Sequence, residues 1–176
     1  MIQIREDPMK IRHSNNQDIE VIMTIIKQAQ DYFKSSGIDQ WQNNYPNNQV
    51  IENDIRLNES YVIEMDEKIV GTYVLSFRNE DTYNTIYDGA WLTNEKYAVV
   101  HRIAFDQSIK GKGYSREILN MISSQCIEQT IFSIKIDTHE DNLVMRNMLI
   151  SNGFELCGTI FLRDGNKRLA YEKRLK

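Results

Sequence analysis

His101-Arg102-Ile103-Ala104-Phe105-Asp106-Gln107-Ser108-Ile109-Lys110-Gly111-Lys112-Gly113-Tyr114-Ser115-Arg116 is the stretch on which the fold reading turns. It continues the apolar run Ala98-Val99-Val100, so a strand is expected from Tyr97 to Phe105. Two glycines and two lysines follow, and between 113 and 129 Ile118, Leu119, Ile122 and Cys126 recur at helical spacing. A strand that enters a helix through such a loop has a physical use. The first N–H groups of a helix lack intrahelical partners, and the helix dipole adds partial positive charge there. Glycines let the backbone come close to an anion, and Lys110 and Lys112 add full charges. The plainer reading is a solvated turn whose glycines only make it tight. Neither G-x-x-x-x-G-K-[ST] nor G-x-G-x-x-G can be written here, since only Gly111 and Gly113 are present.

Outward from this stretch the pattern alternates between periods. Downstream, Phe132, Ile134 and Ile136 alternate with Ser133, Lys135 and Asp137, a strand over Ile131 to Asp137. Residues 141–151 place Met145, Met148 and Leu149 together as a helix that stops at Gly153. Phe154 to Phe161 and Lys167 to Arg174 form a hairpin around Asp164-Gly165. Upstream, Lys10 to His13 alternates as a short strand, and Ile19, Ile22, Met23, Ile26, Ala29 and Phe33 mark a helix ending near Gly37. A polar loop, Asp39 to Pro46, precedes a second short helix carrying Ile51 and Ile55. Ser60 to Met65 and Ile69 to Phe77 read as strands joined by Asp66-Glu67-Lys68, and a further strand is expected near Ile86 to Leu92. The expected order is β-α-α-β-β-β-β-α-β-α-β-β. This is an α/β (α+β) domain with a mixed, mostly antiparallel central sheet of about seven strands flanked by helices. Residues 1–8, ending in Asp7-Pro8, read as an N-terminal extension, and 9–176 as a single domain.

Composition bounds the function. At 176 residues, 41% hydrophobic and 26% charged, the chain can close a core. Its net charge is −4 and its sequence pI about 5.4, so it lacks the basic footprint of a non-specific nucleic-acid or membrane-surface binder. Apolar runs such as Ile69 to Leu75 contain Gly71 and Thr72, and none reaches the roughly 20 residues of a membrane span. Met1 to Lys10 carries Glu6, Asp7 and Pro8 rather than a basic start before an apolar core, so a cytoplasmic chain is expected. Cys126 and Cys157 make no disulfide framework, and no Cys/His cluster has zinc spacing, so no metal is expected.

The loop resembles motif A of the GNAT superfamily of acyl-CoA-dependent N-acetyltransferases, written R/Q-x-x-G-x-G/A, with Gly113 matching the central glycine and Lys110 and Ser115 as conservative departures at the Arg/Gln and final Gly/Ala positions. The family's next motif runs from an Asn at a helix start to a Gly-Phe eleven residues on, matched by Asn142 and Gly153-Phe154. The resemblance follows the element order from about Lys10 to the C-terminus. It implies a sheet splayed between the fourth and fifth strands, with the pantetheine arm of acetyl-CoA in the gap. By the same resemblance, the backbone of Ile103, Ala104 and Phe105 would pair with pantetheine amides. Backbone N–H groups along Gly111, Lys112, Gly113, Tyr114, Ser115 and Arg116, with Lys110 beside them, would hold the pyrophosphate. The Asn142 side chain would hydrogen-bond the cofactor. The implied activity is acetyl transfer from acetyl-CoA to a small-molecule or peptide amine by direct attack on the thioester, with a homodimer as the oligomer known in the family. One departure stands out: Leu149 occupies a position where many members have a Tyr proposed to protonate the leaving thiolate. A catalytically weak acyl-CoA-binding sensor or interaction module on the same fold is the alternative function. A third reading is an unrelated α/β domain whose Gly-Lys turn is only a turn.

Candidate reacting groups lie at the end of the fifth strand. His139 is a candidate base because an imidazole suits proton transfer near neutral pH, and Asp137 could orient it or bind a substrate ammonium. The structural alternative is that Thr138 to Asp141 cap the following helix. His101 would share a strand face with Ile103 and Phe105, as packing residue or base. Trp41, Tyr45, Tyr83 and Trp91 come from loops or strand ends, where large aromatics suit either an acceptor pocket or local packing. Cys126 and Cys157 read as core.

Overall fold

The computed structural model describes residues 8–176, so the expected extension over residues 1–8 lies outside the described residues except for Pro8. The elements are β1 (Lys10–His13), α1 (Ile19–Ser35), α2 (Asn48–Arg56), β2 (Ser60–Met65), β3 (Lys68–Ser76), β4 (Ala98–Phe105), α3 (Ser115–Glu128), β5 (Ser133–Thr138), α4 (Leu143–Ser151), β6 (Glu155–Phe161) and β7 (Lys167–Arg174). The seven strands form one sheet in the order β1-β2-β3-β4-β5-β7-β6. The β1-β2, β2-β3, β5-β7 and β6-β7 pairs are antiparallel, and β4-β5 is parallel. That β4-β5 ladder occupies Ala98↔Ile134 and Val99↔Lys135, the first two of eight residues in β4. The mixed, mostly antiparallel seven-stranded fold flanked by helices is the one expected from the sequence. No helix among the described residues is long and apolar enough to cross a membrane.

The chain divides into two compact units, and β4 contributes to both. The first comprises the chain through Leu75 with His101–Lys112. Its core is Ile22 and Ile26 of α1, Ile51 of α2 and Val62 of β2, with Met23, Trp41, Ile55 and Ile69 packed around them. Each such fully buried side chain is worth roughly 1.5–3 kcal/mol. The apolar positions of α1 recur every three to four residues, so one stripe can be buried while Glu20, Lys27 and Asp31 face outward. Asn47 caps α2 by accepting from the Val50 N–H. A Cβ on Gly71 would meet Ile63 Cδ1 at 2.9 Å and the Ala104 carbonyl oxygen at 3.2 Å, so glycine is what lets β4 lie close to β3 there.

The second unit comprises Ser76–Val100 and Gly113–Lys176. Tyr83, Val99, Ile160 and Ala170 form a buried cluster, and Ile118, Leu119, Ile122 and Cys126 bury the inner face of α3. Burial pushes the Cys126 thiol up to about 12, which leaves it a packing group as expected.

The strand expected near Ile86 to Leu92 does not form. This stretch makes one isolated antiparallel bridge, Tyr87↔Thr159, and otherwise turns. Asp88 has φ +54, and a Cβ on Gly89 would fall 1.9 Å from the Cys157 carbonyl oxygen. Ala90 N–H donates to Cys157 O and Leu92 N–H to the Glu172 carboxylate, so isolated partners replace a continuous ladder.

Candidate active site

The loop after β4 is built from its entrance. Asp106 N–H donates to Val70 O, Asp106 Oδ1 accepts the Ser108 N–H at 2.9 Å, and Oδ2 accepts Gln28 Nε2 at 2.9 Å. Gln28 also accepts the Gln107 N–H at 3.0 Å through Oε1, so one α1 side chain grips two consecutive loop residues. Burial alone would raise the Asp106 carboxyl. The bonds from Ser108 and Gln28, with the charge of Lys110, hold it below its ordinary value. Ile109 is buried and anchors the loop, while Lys110, Gly111, Lys112 and Gly113 are exposed. Gly111 and Gly113 have φ +72 and +83, and a Cβ on either would meet nothing within 4 Å. The loop therefore needs glycine for conformation, with open space on its outer side. It enters α3 through Tyr114, which stands at the N-cap without a side-chain cap bond. The N-cap side chain of α3 thus does not occupy the helix start, which lies at the positive end of the helix dipole.

Arg102 interrupts β4. Its φ of +49 is left-handed, a backbone state that costs a non-glycine residue roughly 1–3 kcal/mol. The side chain explains its persistence. Nε and Nη2 donate to the two Asp54 carboxylate oxygens at 2.7 and 2.6 Å, and Nη1 donates to the Tyr45 hydroxyl at 2.9 Å. A two-pronged charge-assisted pair of this kind is among the stronger polar contacts. Asp54 is 3% exposed, and its burial pushes the carboxyl above the ordinary range even beside the guanidinium. The left-handed residue also breaks the alternation that would have set His101 on one face with Ile103 and Phe105. The three are half-buried, and Ala104 between them is buried. Trp41 packs edge-on to Phe33 with ring centroids 5.8 Å apart, against the α1 stripe, so in this unit Trp41 is a packing residue and Tyr45 a support for Arg102.

In the second unit the polar row of β5 turns inward. Ser133 donates to Glu172 Oε1 at 2.6 Å, and Glu172, with no exposed surface, also accepts from Leu92 N–H and Thr93 Oγ1. Lys135 is 4% exposed, with Nζ 4.2 Å from the Trp91 ring centroid and 4.0 Å from that of Tyr97. Burial lowers its pKa, and the Glu172 charge across the strand pair works against that shift. Tyr83 donates from its hydroxyl to Asp137 Oδ2 at 2.6 Å, and the Trp91 indole N–H donates to Tyr83 O at 2.9 Å. The Tyr83 and Trp91 rings pack at 5.3 Å, so these two aromatics are brought together beside Asp137.

Beyond β5, His139 Nδ1 accepts the Asp141 N–H at 3.1 Å, which ties the imidazole into the start of α4. Asn142 caps that helix, its Oδ1 accepting the Met145 N–H at 3.2 Å, and it is 5% exposed. Leu149 is fully buried and carries no proton-donating group. Among the described residues no group of three or more His, Cys, Asp or Glu could hold a metal ion. Sequence reading missed Gln28, Asp54 and Arg102, and took Lys135 only as an alternating polar position. Lys135 and Asp137 in a strand were a usable signal, because an inward charge requires a partner.

Comparison with known proteins identifies the family and the fold. The family model described as "Acetyltransferase (GNAT) family" matches residues 24–154. Comparison with curated protein sequences finds no match. Among solved structures, a GNAT-family acetyltransferase from Streptococcus agalactiae 2603 is 32% identical with a TM-score of 0.88, covering 96% of each chain. A GNAT-family acetyltransferase from Listeria monocytogenes 4b F2365 is 22% identical, with a TM-score of 0.72 and 95% of each chain covered. A ribosomal-protein-alanine N-acetyltransferase from Brucella melitensis is 19% identical, with a TM-score of 0.66 over 94% of this chain and 99% of that one. The last two speak for the fold alone.

Proposed function

The chain belongs to the GNAT acetyltransferase family, and from that membership we propose that it moves an acetyl group from acetyl-CoA to an amine by direct attack on the thioester. The observation that carries the cofactor part is the start of α3: two left-handed glycines with open space beside them and two exposed lysines, leading directly into the positive end of a helix. These features fit a diphosphate, which needs N–H donors, positive charge and close backbone approach. Lys110 to Arg116 would hold it, and the backbone of Ile103, Ala104 and Phe105 would pair with the pantetheine amides. When bound, acetyl-CoA would supply a thioester carbon for a neutral amine to attack, the C–N bond forming as C–S breaks and the remaining amine proton passing through water to the departing thiolate.

The chain's own residues must bind the acceptor and take its proton. An amine arrives at pH 7 mainly as ammonium and cannot attack until it is deprotonated. Asp137 offers a carboxylate for both tasks: it attracts the ammonium and receives one proton, which passes to solvent. His139 is the second candidate, but accepting a proton at Nδ1 requires breaking its bond to the Asp141 N–H. We therefore place the proton step at Asp137 and give His139 a supporting role at the helix start. Leu149 supplies no proton to the departing sulfur. Of the aromatic acceptor-side candidates, Tyr83, bonded to Asp137, and Trp91, packed on Tyr83, stay with the carboxylate, whereas Trp41 is taken up in packing on α1 and Tyr45 in holding Arg102. In this reading residues 9–176 act as one cytoplasmic acetyltransferase domain.

Thermal melting together with a thiol-release assay tests the proposal. Acetyl-CoA at 100 times its Kd should stabilise the protein by about 2.7 kcal/mol. That corresponds to a rise of roughly 5–10 °C, while equal ATP or NAD does much less. Equal shifts with all three, or none, would remove the cofactor assignment. A shift without thiol release on any of a set of amines would favour the acyl-CoA-binding sensor.

A further inference from the structure

We infer that Tyr83 is a positioning residue for the transfer reaction, its buried hydroxyl fixing the Asp137 carboxylate at the end of β5 for the acceptor ammonium. The inference rests on the role given to Asp137 above and concerns how that group is held. A carboxylate on a strand end can rotate about its last two bonds, and each rotation moves the proton acceptor by an ångström or more. Tyr83 removes that freedom. Its Oη–Oδ2 distance of 2.6 Å is that of a short, charge-assisted bond. The phenol is itself enclosed: Tyr83 is 2% exposed and clusters with Val99, Ile160 and Ala170. Its backbone carbonyl receives the Trp91 indole N–H, and its ring lies 5.3 Å from Trp91.

The hydroxyl is also a fixed donor. Burial, with the Asp137 charge second, pushes the Tyr83 phenol well above its ordinary value, so it keeps its proton wherever the protein would work. The supporting layer continues inward, since Lys135 sits against Trp91 and Tyr97, and Glu172 holds Leu92 and Thr93. The segment carrying Tyr83 and Trp91 is thus pinned onto β5 at three successive inward positions: Ser133 through Glu172, Lys135 through the two rings, and Asp137 directly. A row that served packing alone would not need to end in a hydroxyl against a half-buried carboxylate, because phenylalanine fills the same space without burying a polar group.

The test is a double-mutant cycle on the full chain with Tyr83→Phe, Asp137→Asn and the pair. The assay follows thiol release from acetyl-CoA with spermidine, glycine amide and phenethylamine, using the fastest acceptor. Asp137→Asn should lower kcat by about 10²-fold, the usual size of a proton-transfer contribution. Tyr83→Phe should lower kcat about tenfold with the acetyl-CoA KM within twofold, and should add nothing in the Asn background. Equal kcat in Tyr83→Phe and the parent, or effects that multiply in the pair, would overturn the inference while leaving the reading of Asp137 intact. An unchanged kcat in Asp137→Asn, or no turnover by the parent with any of the three amines, would overturn the reading and the inference with it. Tyr83→Trp checks the packing alternative: it keeps a large ring but moves the donor, and should not restore kcat.

Discussion

The starts of α3 and α4 face the same electrostatic problem, unpaired N–H groups at the positive end of a helix dipole, and meet it in opposite ways. At α4 the chain closes the end itself: Asn142 accepts the Met145 N–H, and His139 accepts the Asp141 N–H just before it. At α3, Tyr114 makes no cap, and the approach runs through two left-handed glycines with nothing beside them. The approach to α3 uses glycines that adopt left-handed backbone without a Cβ penalty and has no cap bond from its N-cap side chain, whereas the start of α4 is capped by its own residues. The difference is the reason the proposed function seats the diphosphate at α3 rather than at α4. It also changes the weight of Asn142, whose carbonyl oxygen is already engaged in holding the helix.

The comparison can be broken most decisively at Gly113. Gly113→Glu places a side chain in a left-handed position and a negative charge where a diphosphate would lie. CoA affinity by calorimetry should fall at least 100-fold, about 2.7 kcal/mol, with circular dichroism confirming a folded protein. Unchanged affinity in a folded variant would move the phosphates elsewhere and erase the contrast between the two helix starts. Asn142→Ala sharpens the other half. Loss of the cap should cost about 1 kcal/mol of stability, or roughly 2–4 °C in Tm, with CoA affinity within about twofold of the parent. A fall in affinity exceeding the fall in stability would show that Asn142 serves the cofactor as well as the helix. Lys112→Ala should have the smallest effect. An exposed charge is worth about 1 kcal/mol or less, so CoA affinity should drop less than about fivefold, and the drop should shrink further in high salt.

The glycine loop was readable because its meaning is local. Left-handed backbone selects glycine, helix starts follow within a few residues, and Lys110 to Ser115 carry both signals in one short run. The same holds for the Asn142 to Phe154 segment and for the alternation that marked Ile131 to Asp137 as a strand. Where a reading failed, a long-range contact had overridden the local pattern. Ile86 to Leu92 has the composition of a strand, yet Gly89 against Cys157 and Leu92 against Glu172 bend it away from a ladder. His101 could be placed by alternation only while β4 stayed regular, and the left-handed Arg102 ends that regularity.

Apart from the strand expected near Ile86 to Leu92, the sequence by itself determined the element order, along with the glycine turn. Each depends on neighbours within one helical turn or one strand, where spacing and residue type are enough. Tertiary structure alone decided which charges are buried and what holds them. Asp54 meets Arg102 across 48 residues, Tyr83 meets Asp137 across 54, and Ser133 meets Glu172 across 39. Nothing in the local pattern of any of these residues names its partner. A buried charge or hydroxyl must be satisfied, but which distant group satisfies it depends on how strands and loops pair, so those pairs appear only once the chain is folded.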